Sequence, residues 1–152
     1  MKPEELLYEN KNRFSEIDGK ENKEVFSFCE DYKKFITKAK TEREFTSDAA
    51  RALESAGFVH LDAKSELKPG DKVYDVNRGK GLVAAVIGKE DIEFGANVIG
   101  AHVDAPRLDF KPNPLYEDGH MAYFKTHYYG GIKKYQWTTI PLAIHGIVAL
   151  QD

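Results

Sequence analysis

Residues 97–101, Asn-Val-Ile-Gly-Ala, form a small, almost continuously apolar run, and the chain then reads His102-Val103-Asp104-Ala105-Pro106. An apolar run of this kind is expected of a strand in a sheet covered on both faces, the setting of α/β folds. The run ends abruptly, because Pro106 has no N–H to give a ladder and forces the chain out of the sheet. Alternate residues of a strand share a face, so His102 and Asp104 point the same way and Val103 points into the opposite layer. Open α/β sheets place their ligands at the C-terminal ends of strands. A neutral imidazole there can bind a metal through one ring nitrogen, and a carboxylate beside it commonly fixes its tautomer and raises its basicity. The spacing alone leaves open whether Asp104 touches His102. A bare His-x-Asp is more often two polar residues at a strand end turning into solvent. Small residues before the pair and a forced exit after it suit a metal site presented in a crevice.

The segment before this run reads as helical. Val25, Phe28, Cys29, Tyr32, Phe35, Ile36 and Ala39 recur at intervals of three and four, which predicts an amphipathic helix over 22–40. A second helix is marked at both ends. Thr41 with Glu44 forms a capping box, and "SDAARALESAG" runs to a stop at Gly57. Phe45, Ala49, Ala52, Leu53 and Ala56 make its apolar side.

After Gly57 the pattern changes to strands. "KPGD" at 68–71 is a turn, and "KVYDVNR", "GKG" and "LVAAVIG" predict a hairpin over 72–88. Further strands are expected at "NVIGAHVD", "MAYFKTHYYGG" and "PLAIHGIVALQD", while "RLDFKPNP" extends away and is broken by its prolines. Lys80 lies in a hairpin turn and not in a phosphate loop, whose longer glycine spacing is missing. The α-α-β-β-β order calls for covering helices that do not follow, and the chain stops on a strand. A longer protein is expected.

Composition excludes several classes. Of the 152 residues 41% are hydrophobic and 31% charged, with a formal net charge of -3, so a packed core is possible and no clustered basic face offers itself to nucleic acid. No apolar run approaches the ~20 residues of a membrane span. Cys29 stands alone, which excludes an internal disulfide and suits a reducing compartment. "MKPEELLYENKNRF" is charged throughout and lacks the apolar core of a signal peptide. The expected location is cytoplasmic.

The other histidines carry weaker signals. His60 is expected at a surface or strand end, and His120 in a solvated turn. His127 is expected to be partly buried and hydrogen-bonded, and His145 to be an ordinary strand residue. Zinc usually takes three or four protein ligands, and only His102 is persuasive here. Gly130-Gly131 and the aromatics Tyr128, Tyr129, Tyr135 and Trp137 read as a structural or interface element.

Taken together, "IGAHVDAPRLDFKPNPLY" and "HYYGGIKKYQWTTIPLAIHGIVAL" resemble the aspartyl aminopeptidase and vacuolar aminopeptidase I family of zinc exopeptidases, in its clostridial-type branch. The likeness runs along the whole chain but covers only about the N-terminal third of a family member. It implies the start of an α/β/α catalytic domain over residues 1–105, followed by the beginning of a β-rich inserted lid or dimerisation domain over 106–152. It implies a cytoplasmic homo-oligomer that releases N-terminal residues from peptides, with two divalent metal ions, zinc by family. His102 matches the first metal ligand, and Asp104 the acidic residue that supports it. The remaining ligands and the general base have no counterpart here. Where the family often has Asp-Arg after the Trp motif, this chain reads Ile140-Pro141, so a preference for acidic residues is not carried over. The rival reading is a non-catalytic α+β interaction module in which His102 and Asp104 form a structural hydrogen bond.

Overall fold

The computed structural model describes Leu7 and residues 10–151. They belong to two units, the first running to Lys38 and the second from Ala39 onward. In the first, helix α1 spans Gly19–Lys38. It starts where Asp18 Oδ1 accepts from the backbone N–H groups of Lys20 and Glu21, both at 2.8 Å. The apolar stripe expected from the sequence is present on this helix, but Phe28 and Tyr32 remain 75% and 57% exposed.

The second unit opens with α2, Glu42–Ser55. Both halves of the capping box form: the Thr41 hydroxyl accepts from the Glu44 N–H, and the Glu44 carboxylate accepts from the Thr41 N–H. At the other end Gly57 takes φ 84°. Its N–H reaches the Glu54 carbonyl and the Phe58 N–H reaches that of Leu53, a Schellman closure that leaves few carbonyls unpaired.

Strands β1 (Val59–His60), β2 (Lys72–Asn77) and β3 (Gly81–Val86) form a sheet in that order, with β1 parallel and β3 antiparallel to β2. The expected hairpin is therefore present. Its turn holds Arg78 and Gly79 at φ 53° and 67°, matching the twist of the flanking strands. Helix α2 packs on this sheet; the buried residues among those described are Val73 and Tyr74 on the central strand and Thr46 and Asp48 on the helix, with Tyr74 on the face turned to α2. Tyr74 donates its hydroxyl to Glu54 Oε1 at 2.5 Å, and Lys72 donates to the Ala56 carbonyl at 3.1 Å. Asp48 is held by Arg51.

A long hairpin follows, β4 (Arg107–Asp118) with β5 (Met121–Tyr129). The prolines do interrupt β4, since its register slips between Phe110 and Leu115, but pairing resumes and the strand runs on to Asp118. Pro112 and Pro114 cannot donate, and Asn113 between them turns to φ 55°. Gly119 and His120, at φ 56° and 63°, close the hairpin tip. Cross-strand stacks brace it, Phe110 on Phe124 at 4.7 Å and Tyr116 on Tyr123 at 5.4 Å. A single helical turn, α3 (Lys134–Trp137), comes after.

Two expected strands are not formed. Residues 95–106 and 141–151 are without ladder pairing, so "NVIGAHVD" and "PLAIHGIVALQ" do not form strands; Asp152, the last residue of the second expected strand, lies outside the described residues. Val98 and Ile99 are 86% and 98% exposed, and Ile147 and Val148 are 69% and 82% exposed. An apolar run becomes a buried strand only where neighbouring strands take its N–H and C=O groups and other layers cover its faces. No described strand lies alongside either segment. For the same reason β3 is not buried on both sides, and Val83 is 71% exposed. The chain is mixed α/β. No helix among the described residues is long and apolar enough to cross a membrane.

Candidate functional site

The His102–Asp104 segment leads directly into the root of the long hairpin. Pro106 precedes Arg107, the first residue of β4, and the ladder pairs Arg107 with Tyr129, the last residue of β5. The antiparallel return therefore brings Tyr129 back beside Asp104. Gly130 continues the turn at φ 71°, and a Cβ there would meet Pro106 Cα at 3.4 Å. The positive φ is what favours glycine at this position.

His102 and Asp104 do touch. The His102 Nδ1 lies 2.9 Å from Asp104 Oδ1 and 3.0 Å from the Asp104 carbonyl oxygen. A carbonyl oxygen can only accept, so Nδ1 is the donor in this contact, and whenever the ring is neutral Nε2 holds the lone pair. The imidazole is 83% exposed at its side chain, with Nε2 uncommitted to any described partner, while Asp104 is 31% exposed. The contact does not depend on a strand: the two side chains meet across a single residue of unpaired chain.

Asp104 uses its other oxygen as well. The Tyr129 hydroxyl donates to Oδ2 at 2.6 Å. That hydrogen bond, then the residue's own N–H and His102, hold the Asp104 carboxyl below the usual carboxylate range, and the same bond raises the Tyr129 phenol above its ordinary value. The Tyr129 ring lies under the Arg107 guanidinium, 4.1 Å from its centre. Arg107 in turn forks between Asp109 Oδ1 at 2.8 Å and Glu42 Oε1 at 2.9 Å, and Glu42 is the first residue of α2. A continuous series of contacts thus joins His102 to the start of the capped helix.

Tyr129, Arg107 and Glu42 were not singled out individually by the sequence. In the sequence Tyr129 is one of a cluster of aromatics, and only the register Arg107 to Tyr129 shows which of them meets Asp104.

The remaining histidines lie apart from this pair. His60 sits at the end of β1 as expected, its Nε2 3.3 Å from Asp75 and its ring edge-on to Tyr74. His120 is an exposed turn residue, also as expected. His127 is exposed, with its ring against Tyr128, and not partly buried, because no described layer covers β4–β5 there. His145 is not a strand residue. Its Nδ1 lies 2.8 Å from Glu44 Oε1, the same carboxylate group that closes the capping box. This bond is the main cause of a lowered Glu44 carboxyl pKa.

The donor chemistry at His102 suits a zinc ligand: an exposed imidazole, its Nδ1–H held by a carboxylate, with Nε2 open. Among the described residues no three His, Cys, Asp or Glu side chains converge as a metal cluster.

The comparisons with known proteins agree with one another. A family profile described as Aminopeptidase I zinc metalloprotease (M18) matches residues 35–152. The chain is 51% identical over 154 residues to the probable M18 family aminopeptidase 1 of Clostridium acetobutylicum, covering 99% of this chain and 33% of that protein. The corresponding protein of Thermotoga maritima is 47% identical over 133 residues, 88% of this chain and 29% of its own. Among solved structures, aminopeptidase I from Borrelia burgdorferi B31 superposes with a TM-score of 0.78 at 46% identity, covering 84% of this chain and 31% of that one. Aminopeptidase I from Clostridium acetobutylicum gives 0.77 at 47% identity, covering 96% and 33%. The chain spans about a third of the length of the curated relatives it matches. With 118 of its residues inside the family profile, the chain belongs to the aminopeptidase I zinc metalloprotease (M18) family.

Proposed function

We propose that the protein carrying this segment is a zinc-dependent aminopeptidase that releases N-terminal residues from peptides, with His102 as one zinc ligand and Asp104 as the residue that orients it. The observation that carries the reading is the His102–Asp104 contact, which fixes the proton on Nδ1 and leaves an exposed Nε2. Membership of a zinc metalloprotease family supports it, and disfavours a non-catalytic module. The zinc pair, when bound, supplies Lewis-acid polarisation of the scissile carbonyl and an activated water. This chain's own share is to hold one ligand in a fixed orientation. Asp104 keeps the imidazole from rotating and keeps its proton away from the metal-facing nitrogen. The general base and the remaining ligands are contributed from outside residues 1–152.

The same proposal includes a catalytic segment over 1–105 and the opening of a lid or oligomerisation domain over 106–152, a homo-oligomeric assembly and a cytoplasmic location. Ile140-Pro141 gives no ground for assigning a preference for acidic N-terminal residues. The test is hydrolysis of a panel of aminoacyl nitroanilides by the full-length protein, before and after chelation. Activity should vanish on chelation and return with zinc, and sedimentation should give a multiple of the protomer mass. Chelator-resistant hydrolysis, or none with any aminoacyl group after zinc loading, would reject the reading.

A further inference from the structure

We propose that Tyr129 is a positioning residue for His102, acting through Asp104. The inference deepens the proposed function and rests on His102 being a zinc ligand. A carboxylate that meets an imidazole through one oxygen can still rotate about its own Cβ–Cγ bond. Here the second oxygen is also taken, because Tyr129 donates to Oδ2 at 2.6 Å while Oδ1 faces His102 at 2.9 Å. With both oxygens engaged from different directions, the carboxylate plane is set, and with it the direction in which Nδ1–H must point.

The phenol itself is held by rigid elements. Tyr129 is the last paired residue of β5, opposite Arg107 in the ladder. Its ring is capped by the Arg107 guanidinium at 4.1 Å, and that guanidinium is tied to Glu42 at the start of α2 and to Asp109 on β4. On the other side Gly130 passes beside Pro106, next to the chain leaving Asp104. Residues 101–106 lack a ladder of their own. Their orientation therefore depends on side-chain anchors, and the Tyr129 hydroxyl is the one that reaches the residue touching His102. Outer support of this kind tunes metal affinity by orienting the ligand it reaches.

The experiment uses the full-length protein with Tyr129→Phe, Asp104→Asn, the double variant, and Tyr128→Phe as a control on the neighbouring phenol. Phenylalanine keeps the ring under Arg107, so the fold should be retained, which circular dichroism checks. Zinc affinity is measured by competition with a chromogenic chelator, and the His102 tautomer in zinc-free protein by imidazole 15N shifts. Tyr129→Phe should weaken zinc binding about 10-fold and lower the fraction of His102 protonated at Nδ1, and Asp104→Asn should weaken binding ~10–100-fold. The double variant should bind no more weakly than Asp104→Asn, and Tyr128→Phe should bind as the parent does. If Asp104→Asn weakens zinc binding while Tyr129→Phe changes neither affinity nor tautomer, the positioning role is overturned and the site assignment stands. Additive losses in the double variant overturn action through Asp104. If Asp104→Asn and Tyr129→Phe both leave zinc affinity and tautomer at parent values, the site assignment itself fails.

Discussion

Arg107 and Glu42, 65 positions apart, meet at 2.9 Å with only 28% and 26% of their side chains exposed. This contact ties the root of the long hairpin to the first turn of α2. Glu42 Oε1 and Asp109 Oδ1 together raise the guanidinium pKa, Asp109 most strongly. Arginine suits the place because its planar fork can serve two carboxylates and the face of Tyr129 at once. Arg107→Lys should lose that geometry while keeping the charge. A double-mutant cycle of Arg107→Lys with Glu42→Gln, read by urea unfolding, is expected to give a coupling of ~1 kcal/mol, at the upper end for surface pairs because this one is partly buried. A coupling indistinguishable from zero would mean the pair is incidental.

His102→Ala in the full-length protein should reduce bound zinc by close to one equivalent per chain and remove most peptidase activity. Truncation deletes the nitrogen and leaves Asp104 and Tyr129 bonded to each other, so the hairpin root should keep its fold. Zinc content by atomic emission, together with turnover, checks this. Undiminished metal and turnover would place the ligand elsewhere.

The α2 cap gives a prediction independent of any metal. Thr41→Ala removes the hydroxyl that accepts from the Glu44 N–H at 3.3 Å, which is one half of the capping box. A loss of ~1 kcal/mol is expected in urea unfolding. Thr41→Ser should restore most of it, since the acceptor oxygen is the feature that matters.

Acid sensitivity should trace in part to Glu44. Its carboxyl pKa lies below the ordinary 4.5 chiefly through the hydrogen bond to His145, helped by the Lys40 and Thr41 N–H groups. A carboxyl depressed in the folded state contributes stability that is fully present above its unfolded pKa and lost as pH falls through the folded value. Glu44→Gln keeps an acceptor for the capping box but cannot ionise. The variant should therefore show a shallower fall in stability below about pH 4.5. Asp71, depressed mainly by its bond to Lys64, should supply a residual acid limb in both proteins. An unchanged slope in a pH series of unfolding midpoints would remove Glu44 from the account.

The 152-residue chain by itself should associate. Val98, Ile99, Ile147 and Val148 stand exposed on unpaired chain, and β3 occupies an edge of its sheet with Val83 uncovered. Exposed apolar surface and unpaired edges favour contact between copies. Sedimentation should show concentration-dependent association, and calorimetry should show no tight, stoichiometric zinc uptake, since one imidazole with one support cannot complete a zinc site. A monodisperse monomer holding one zinc tightly would contradict both expectations.

Several features could be read directly from the sequence because they are made by near neighbours. Thr41, Glu44 and Gly57 encode both ends of α2 through hydrogen bonds that span a few residues. The β2–β3 hairpin follows from alternation around a glycine turn, and the contact of His102 with Asp104 lies across one residue. The position of Tyr129 on Asp104, of Arg107 on Glu42 and of His145 on Glu44 required the tertiary structure, because no periodicity records which residues distant in sequence meet. Residues 97–101 illustrate the same division from the other side. Their apolar character is fixed by composition, but a strand is a relation between two backbones, and along this chain no described backbone lies beside them to take their hydrogen bonds.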